Sequence, residues 1–338
     1  MTLYALDDIE DAIDATRAFL WPLDRGRWLR LAVVVFFAGG AGGFNPFQFT
    51  GSGTPTTPDT PTTPPSGAPN LPSLGTPEVA IVAAIAALLL FVFLGFLLVG
   101  SVMEFVFVRS LREEAVTVRR YWRDHWRQGV RLFGFRLALT VATVGLVGGV
   151  LVAVFAPVVL AGRVAALGLL VVAIPVLILV ALVSGLLNGF TTMFVVPVML
   201  LEERGVVASW RRFWPTLRSE WKQYLAYLFM SVVLSLAGGI LTALAMLVAA
   251  LAVGIPLALV GLLGGALLTV ASVAGWVVVG VAVVLFVAAM VVLTLLIAVP
   301  VQTFLRYYGL LVLGDTNDAF DVVPERRRAI REPSATEG

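Results

Sequence analysis

YLAYLFMSVVLSLAGGILTALAMLVAALAVGIPLALVGLLGGALLTVASVAGWVVVGVAVVLFVAAMVVLTLLIAVPVQTFL, residues 224–305, contains no charged side chain. A bilayer hydrocarbon core about 30 Å thick takes roughly 20 helical residues to cross. This stretch is therefore long enough for two long crossings with something between them, or for three or four short ones. Four more apolar runs meet or approach crossing length, at residues 28–44, 79–108, 132–160 and 164–200. The composition agrees, because 59% of the chain is hydrophobic and only 13% charged, against about a quarter charged in soluble domains. The fold class is an all-α integral membrane protein. Gly254, Pro256, Gly264, Gly265 and Gly275 interrupt the longest run. Irregular backbone within a bilayer must be buried in protein or line a cavity, so residues 254–275 read as a short broken or re-entrant segment.

Arginine placement sets the orientation. Of the 23 basic residues, 22 are arginine, and all but Arg163 fall in residues 1–30, 109–136, 204–222 and from 306 onward. An even number of crossings puts those four segments on one side, which the positive-inside rule makes the cytoplasm. About six transmembrane helices in the cell membrane satisfy this, with both termini cytoplasmic. The expected organisation is a cytoplasmic amphipathic helix over 1–26, a transmembrane domain over 27–314 and a cytoplasmic tail over 315–338. Five acids within residues 7–14 argue against a cleavable leader at the start. Residues 44–77 hold nine prolines and, among charged residues, only Asp59. Such a segment buries too little surface to offset chain entropy and reads as a disordered external Pro/Thr-rich loop.

The chain also repeats. Trp21-Pro22 followed by Trp28 recurs as Trp214-Pro215 followed by Trp221, each leading into a span. A looser copy, Arg119-Arg120-Tyr121-Trp122, mirrors Arg211-Arg212-Phe213-Trp214, and Val196-Pro197-Val198 recurs as Val299-Pro300-Val301. The implied architecture is three parallel two-helix repeats, joined by interfacial helices over 111–131 and 203–222. In the first connector Leu111, Ala115, Val118, Trp122, Trp126, Gly129 and Phe133 share one helical face, with arginines over much of the rest. The second repeats this with Val207, Trp210, Trp214, Leu217, Trp221 and Tyr224. Indoles favour the headgroup layer and arginines favour lipid phosphates. Trp21, Trp28, Arg119, Arg120, Trp122, Trp126, Arg211, Arg212, Trp214 and Trp221 are therefore candidate lipid contacts, with the anionic inner leaflet as partner. The same physics also describes plain anchoring of hairpins at the interface.

FVVPVMLLEERGVVASWRRFWPTLRSEWKQYLAYL at residues 194–228, with VPVQTFLRYYGLLVLGDTNDAFDVVPERRRAIR at 299–331 and LYALDDIEDAIDATRAFLWPLDRGRWLRLA at 3–32, resembles a family of uncharacterised haloarchaeal multi-pass membrane proteins. More distantly, the alternation of span, basic tryptophan connector and span looks like the membrane domain attached to some glycerophosphodiester phosphodiesterases. That resemblance implies a membrane architecture without the family's separate catalytic barrel, and it transfers no catalytic residue.

Chemistry within the spans is sparse. Glu104, near the inner end of the second span, and Arg136, one turn inside the third, lie at similar depth. They read as a structural ion pair or as a proton or substrate site. Asn188, Thr191 and Thr192 form a polar cluster in the fourth span, which interhelical hydrogen bonding explains. Gln302, Thr303, Arg306, Tyr307 and Tyr308 read as an aromatic belt with a basic flank, His125 as an interfacial residue, and 315–318 as helix capping. Without cysteine and with a single histidine, thiolate and His-cluster metal sites are excluded, and no cofactor is expected. No nucleic-acid footprint is present, since the basic residues lie beside apolar spans. The sequence yields no catalytic motif, so an enzyme is not expected. Two functions stand: a membrane scaffold or lipid-associating domain, and a transporter or channel for a small or amphiphilic solute.

Overall fold

The computed structural model describes residues 4–22, 24–41, 76–162 and 168–331. These are helical, and no strand occurs among them. A short helix α1 (Tyr4–Leu20) precedes α2 (Arg25–Val35), which continues as π-helix over Phe36–Ala41. Asp24 caps α2, accepting from the amides of Gly26 and Arg27 at 3.0 and 3.3 Å. The long helices α3 (Thr76–Arg112), α4 (Val118–Ala161) and α5 (Leu170–Phe190) follow. A π-helical turn, Thr191–Val195, joins α5 to α6 (Val196–Glu202), and α7 (Val206–Ser219) comes next. The hairpin of α8 (Trp221–Leu267) and α9 (Ser272–Thr316) then leads to α10 (Pro324–Arg331).

Five helical stretches are long and apolar enough to cross a membrane: Val79–Arg112, Val118–Leu160, Leu170–Glu202, Trp221–Leu267 and Ser272–Thr316. The first expected span, 28–44, corresponds to α2 and its π-helical continuation, which meet residues outside the described set. Apart from its last two residues, the loop expected over 44–77 also lies outside that set.

Burial is concentrated at one end of the helices. The core joins Phe19 of α1, Leu31 of α2, Phe105 and Leu111 of α3, Leu132 of α4, Met199 of α6 and Phe213 of α7. It takes in Tyr224 of α8, Tyr307 and Tyr308 of α9, and Phe320, all at most 1% exposed. Phe194 is its aromatic hub, with the rings of Phe213, Tyr224 and Tyr227 at 5.6, 5.1 and 4.9 Å. Away from this capped end the helices present valine and leucine outward, as at Leu89, Val152, Ile178, Leu241 and Val284. A protein in lipid needs no polar coat there.

Several expectations change. Within residues 254–275, expected as a broken or re-entrant segment, the one interruption of helix is the turn between α8 and α9. α8 runs unbroken through Pro256 to Leu267, and the chain turns at residues 268–271. Breaking a lipid-exposed helix would orphan several backbone groups, whereas one proline orphans one carbonyl. The glycines instead make the hairpin tight: a Cβ on Gly275 would sit 2.8 Å from the Gly264 carbonyl oxygen. The connector at 111–131 is not a separate helix either. α3 ends at Arg112, and α4 starts at Val118 and runs without a break into its span, since no proline interrupts residues 118–131 and five arginines and Gln128 favour helix there. Residues 315–331 are no free tail, since α10 docks back on the capped end.

On both connectors the core takes residues beside the tryptophans and leaves the indoles at least partly exposed. On α4 the inward residues are Tyr121, Gly129, Leu132 and Arg136, while Trp126 is 40% exposed. A Cβ on Gly129 would lie 2.9 Å from Val102 Cα. The crossing with α3 is thus too close for indoles, which move to the flank. On α7, Val206, Ser209, Phe213 and Thr216 face inward, and Val207 and Trp214 face out.

Candidate functional site

The most unusual chemistry is a buried charge cluster at the base of the long helices. Glu104 of α3 is fully buried, and Arg136 of α4 and Arg306 of α9 are each 3% exposed. Arg136 Nη2 donates to Glu104 Oε1 at 3.2 Å and to Thr192 Oγ1 at 2.8 Å. Arg306 Nη2 donates to Glu104 Oε2, and its Nη1 donates to the Thr192 carbonyl at 2.7 Å. That carbonyl lies in the π-helical turn, where the widened helix presents backbone oxygen to a side chain. Arg306 also lies 5.5 Å from the ring centroid of Phe107. α3, α4, α9 and the α5–α6 turn therefore meet on one carboxylate.

Glu104 and Arg136 are in contact, and Arg306 makes the pair a triad. Arg306, expected as an exposed flank, is buried, and so are Tyr307 and Tyr308 beside it. The polar cluster of the fourth span belongs to the same assembly. Thr192 binds both arginines, and Thr191 accepts from Trp210 Nε1 at 3.0 Å, tying α7 to the turn. Asn188 lies one turn earlier on α5. Arg306 follows the last apolar run directly, so hydropathy alone assigns it to the surface. A signal was nevertheless present: one acid and two arginines at similar depth from the same side. The π-helical turn has no sequence signature.

A second ionic assembly closes the capped end. Arg331 of α10 contacts Asp8 and Asp11 of α1 and Asp315 of α9 at 2.8, 2.7 and 2.7 Å. Arg327 holds Asp315 and Asp321 at 2.9 and 3.3 Å, and Arg326 reaches Glu114 at 2.6 Å. Asp315 thus serves as an ion-pair partner, while Asn317 does the local capping, accepting from the Ala319 amide at 3.0 Å. Burial, reinforced by the hydrogen bond and charge of Asp315 and opposed by Arg331, pushes the Asp8 carboxyl up to about 8. Burial would also raise Glu113, but the hydroxyl of Tyr121, donating at 2.5 Å, and the charge of Arg109 outweigh it and hold that carboxyl below its ordinary range. His125 packs parallel to Phe105, ring centroids 6.3 Å apart, with Nδ1 3.0 Å from the Tyr121 carbonyl oxygen.

The candidate lipid contacts fall into separate groups. Arg119 and Arg120 join Arg30 and Arg123 around an open depression of about 620 Å³ at the start of α4. Arg211 and Arg212 join Arg204 around another of about 580 Å³ along α7. The first turn of α4 carries no acid, and Thr117 makes no capping bond to it. Trp21 is 67% exposed, Trp214 and Trp221 are each 55% exposed, and Trp28 and Trp122 are half-buried against the core. No curated protein and no solved structure matches this chain. A model described as "Family of unknown function (DUF7544)" matches residues 3–323. The buried triad, the clasped α1 and α10 and the arginine-lined depressions all lie within or directly beside that span, and the chain belongs to this family.

Proposed function

We propose that this chain is a non-catalytic membrane scaffold whose capped end lies at the cytoplasmic leaflet and holds anionic lipid headgroups. The observation that carries the reading is the pair of arginine-lined depressions, together with Trp214 of α7 and Trp221 at the start of α8, both exposed. An arginine near an anionic surface contributes about 1 kcal/mol at physiological salt. The four around the start of α4 would supply at most about 4 kcal/mol, less what Asp124, 3.9 and 4.0 Å from Arg120 and Arg123, offsets. On this reading α2 with its π-helical extension and the five longer helices make six crossings, and the sequence repeats group them in three parallel pairs. Both termini are then cytoplasmic, and the outward face of α7 rests on the membrane.

Native mass spectrometry of the full chain, released from micelles holding equal phosphatidylglycerol and phosphatidylcholine, tests this. Phosphatidylglycerol should be retained preferentially, and Gln at Arg30, Arg119, Arg120 and Arg123 should remove most of that preference. Equal retention of both lipids by the unsubstituted chain would refute it. A second reading, transport of a small solute, is favoured by one feature. Thr140 and Thr143 of α4 and Ser184 of α5 place hydroxyls above the buried triad, with Thr143 and Ser184 2.8 Å apart. Solute flux in reconstituted vesicles that stops with Glu104→Gln would put this reading first.

A further inference from the structure

The buried triad does not balance. It holds two guanidinium groups and one carboxylate, all at most 3% exposed. Arginine keeps its proton in proteins, so the cluster cannot shed the excess charge by titration. Nor are the two arginines equally served. Arg306 has Glu104, the Thr192 carbonyl and the face of Phe107. Arg136 uses a single nitrogen, Nη2, for both of its bonds, while its Nε and Nη1 are buried and have no hydrogen-bond partner among the described residues. A buried donor without an acceptor is costly, and a buried charge without a counter-charge costs more. Water could satisfy the donors but would leave the charge unmatched.

We propose that Arg136 binds a singly charged anion that completes the triad, either a halide from solution or the phosphodiester of a lipid headgroup. Both present one negative charge to guanidinium donors. Further polar groups follow the triad along α4 and α5: Thr140, one turn on, donates to the Arg136 carbonyl at 2.8 Å, and the Thr143–Ser184 pair lies about two turns on. These hydroxyls stand where the α4–α5 contact is half-buried rather than sealed. The proposal is independent of lipid binding at the surface arginines, because Arg136 lies inside the core and lines neither depression.

The test is thermal unfolding of the full chain in a neutral detergent, with gluconate as the background anion and ionic strength held constant. Arg119→Gln/Arg120→Gln serves as the parent, so that the surface cluster contributes little. Adding chloride or bromide should raise the midpoint saturably in the parent, as expected for a ligand that binds only the folded state. A further Arg136→Gln, which leaves a neutral Glu104–Arg306 pair, should abolish the rise. A parallel arm adds phosphatidylglycerol in gluconate. If lipid raises the midpoint and halide does not, the anion is a headgroup; the reverse identifies a free anion. The proposal is overturned if the parent responds to neither, or if Arg136→Gln responds as the parent does. Should Arg136→Gln fail to fold, binding to the parent decides. Saturable uptake of radiolabelled chloride competed by bromide, or retention of one phosphatidylglycerol per chain, supports the site. Absence of both overturns it.

Discussion

Replacing Glu104 by Gln tests whether the triad holds the helices together. The carboxylate is fully buried and receives both Arg136 and Arg306, so the neutral amide leaves two guanidinium groups without a counter-charge. Breaking one buried pair by removing a partner costs about 3–5 kcal/mol. With two partners stranded at once, the loss should sit at the upper end, about 5 kcal/mol. Arg136→Gln behaves differently because it leaves a neutral pair. Its cost is a charge-assisted hydrogen bond at 3.2 Å and another to Thr192 at 2.8 Å, partly offset by loss of the unmatched charge, so about 1–2 kcal/mol remains. Arg306→Gln should fall between, since it also gives up the Thr192 carbonyl and the Phe107 face. The Glu104→Gln/Arg136→Gln double variant should recover part of the Glu104→Gln loss, with Arg306 still stranded. Unfolding by denaturant in mixed micelles, followed by tryptophan fluorescence, ranks the four. If Glu104→Gln costs no more than Arg136→Gln, the charge accounting is wrong.

Gly129→Ala should destabilise by about 1–3 kcal/mol in the same assay, as expected for overpacking, because its Cβ would meet the Val102 backbone at 2.9 Å. Val102→Ala should restore only part of that, since the contact reaches the Cα. The clasp between α1 and α10 should weaken as pH rises. Asp8 is protonated in the folded chain up to about 8 and faces Asp11, Asp315 and Arg331, whereas the unfolded chain releases that proton near the ordinary 3.8. Its stabilisation is therefore complete below about 4 and is lost on the way to about 8. Protease protection of α1 should follow that curve, and Asp8→Asn should flatten it; a curve running the other way would refute the assignment.

Much of this was legible in the sequence. A long uncharged run has the length and apolarity of membrane helix, and two opposite charges at matched depth favour each other as partners, so the long helices and the residue types at the triad were in view. The burial of Arg306 was not, because hydropathy sees a charge at the edge of an apolar run and cannot know that Glu104, Phe107 and the Thr191–Val195 turn surround it. Which residues of α4 and α7 pack into the core was not legible either. Sequence patterns rank residues by apolarity, while a close crossing such as Gly129 on Val102 selects for small size and sends indoles outward. Pro256 does not end α8, since punctuation that ends a helix in water need not end one in lipid.

Lipid binding at the arginine-lined depressions requires the capped end to lie on the cytoplasmic side of the membrane. The chain has no native cysteine, so single cysteines report cleanly. Glu220 is exposed at the capped end and Thr269 is exposed at the opposite turn of the α8–α9 hairpin. In intact cells a membrane-impermeant thiol reagent should label Thr269→Cys and leave Glu220→Cys unlabelled until the membrane is opened. Labelling of Glu220→Cys in intact cells, with Thr269→Cys protected, would put the arginine-lined depressions outside the cell and contradict the account.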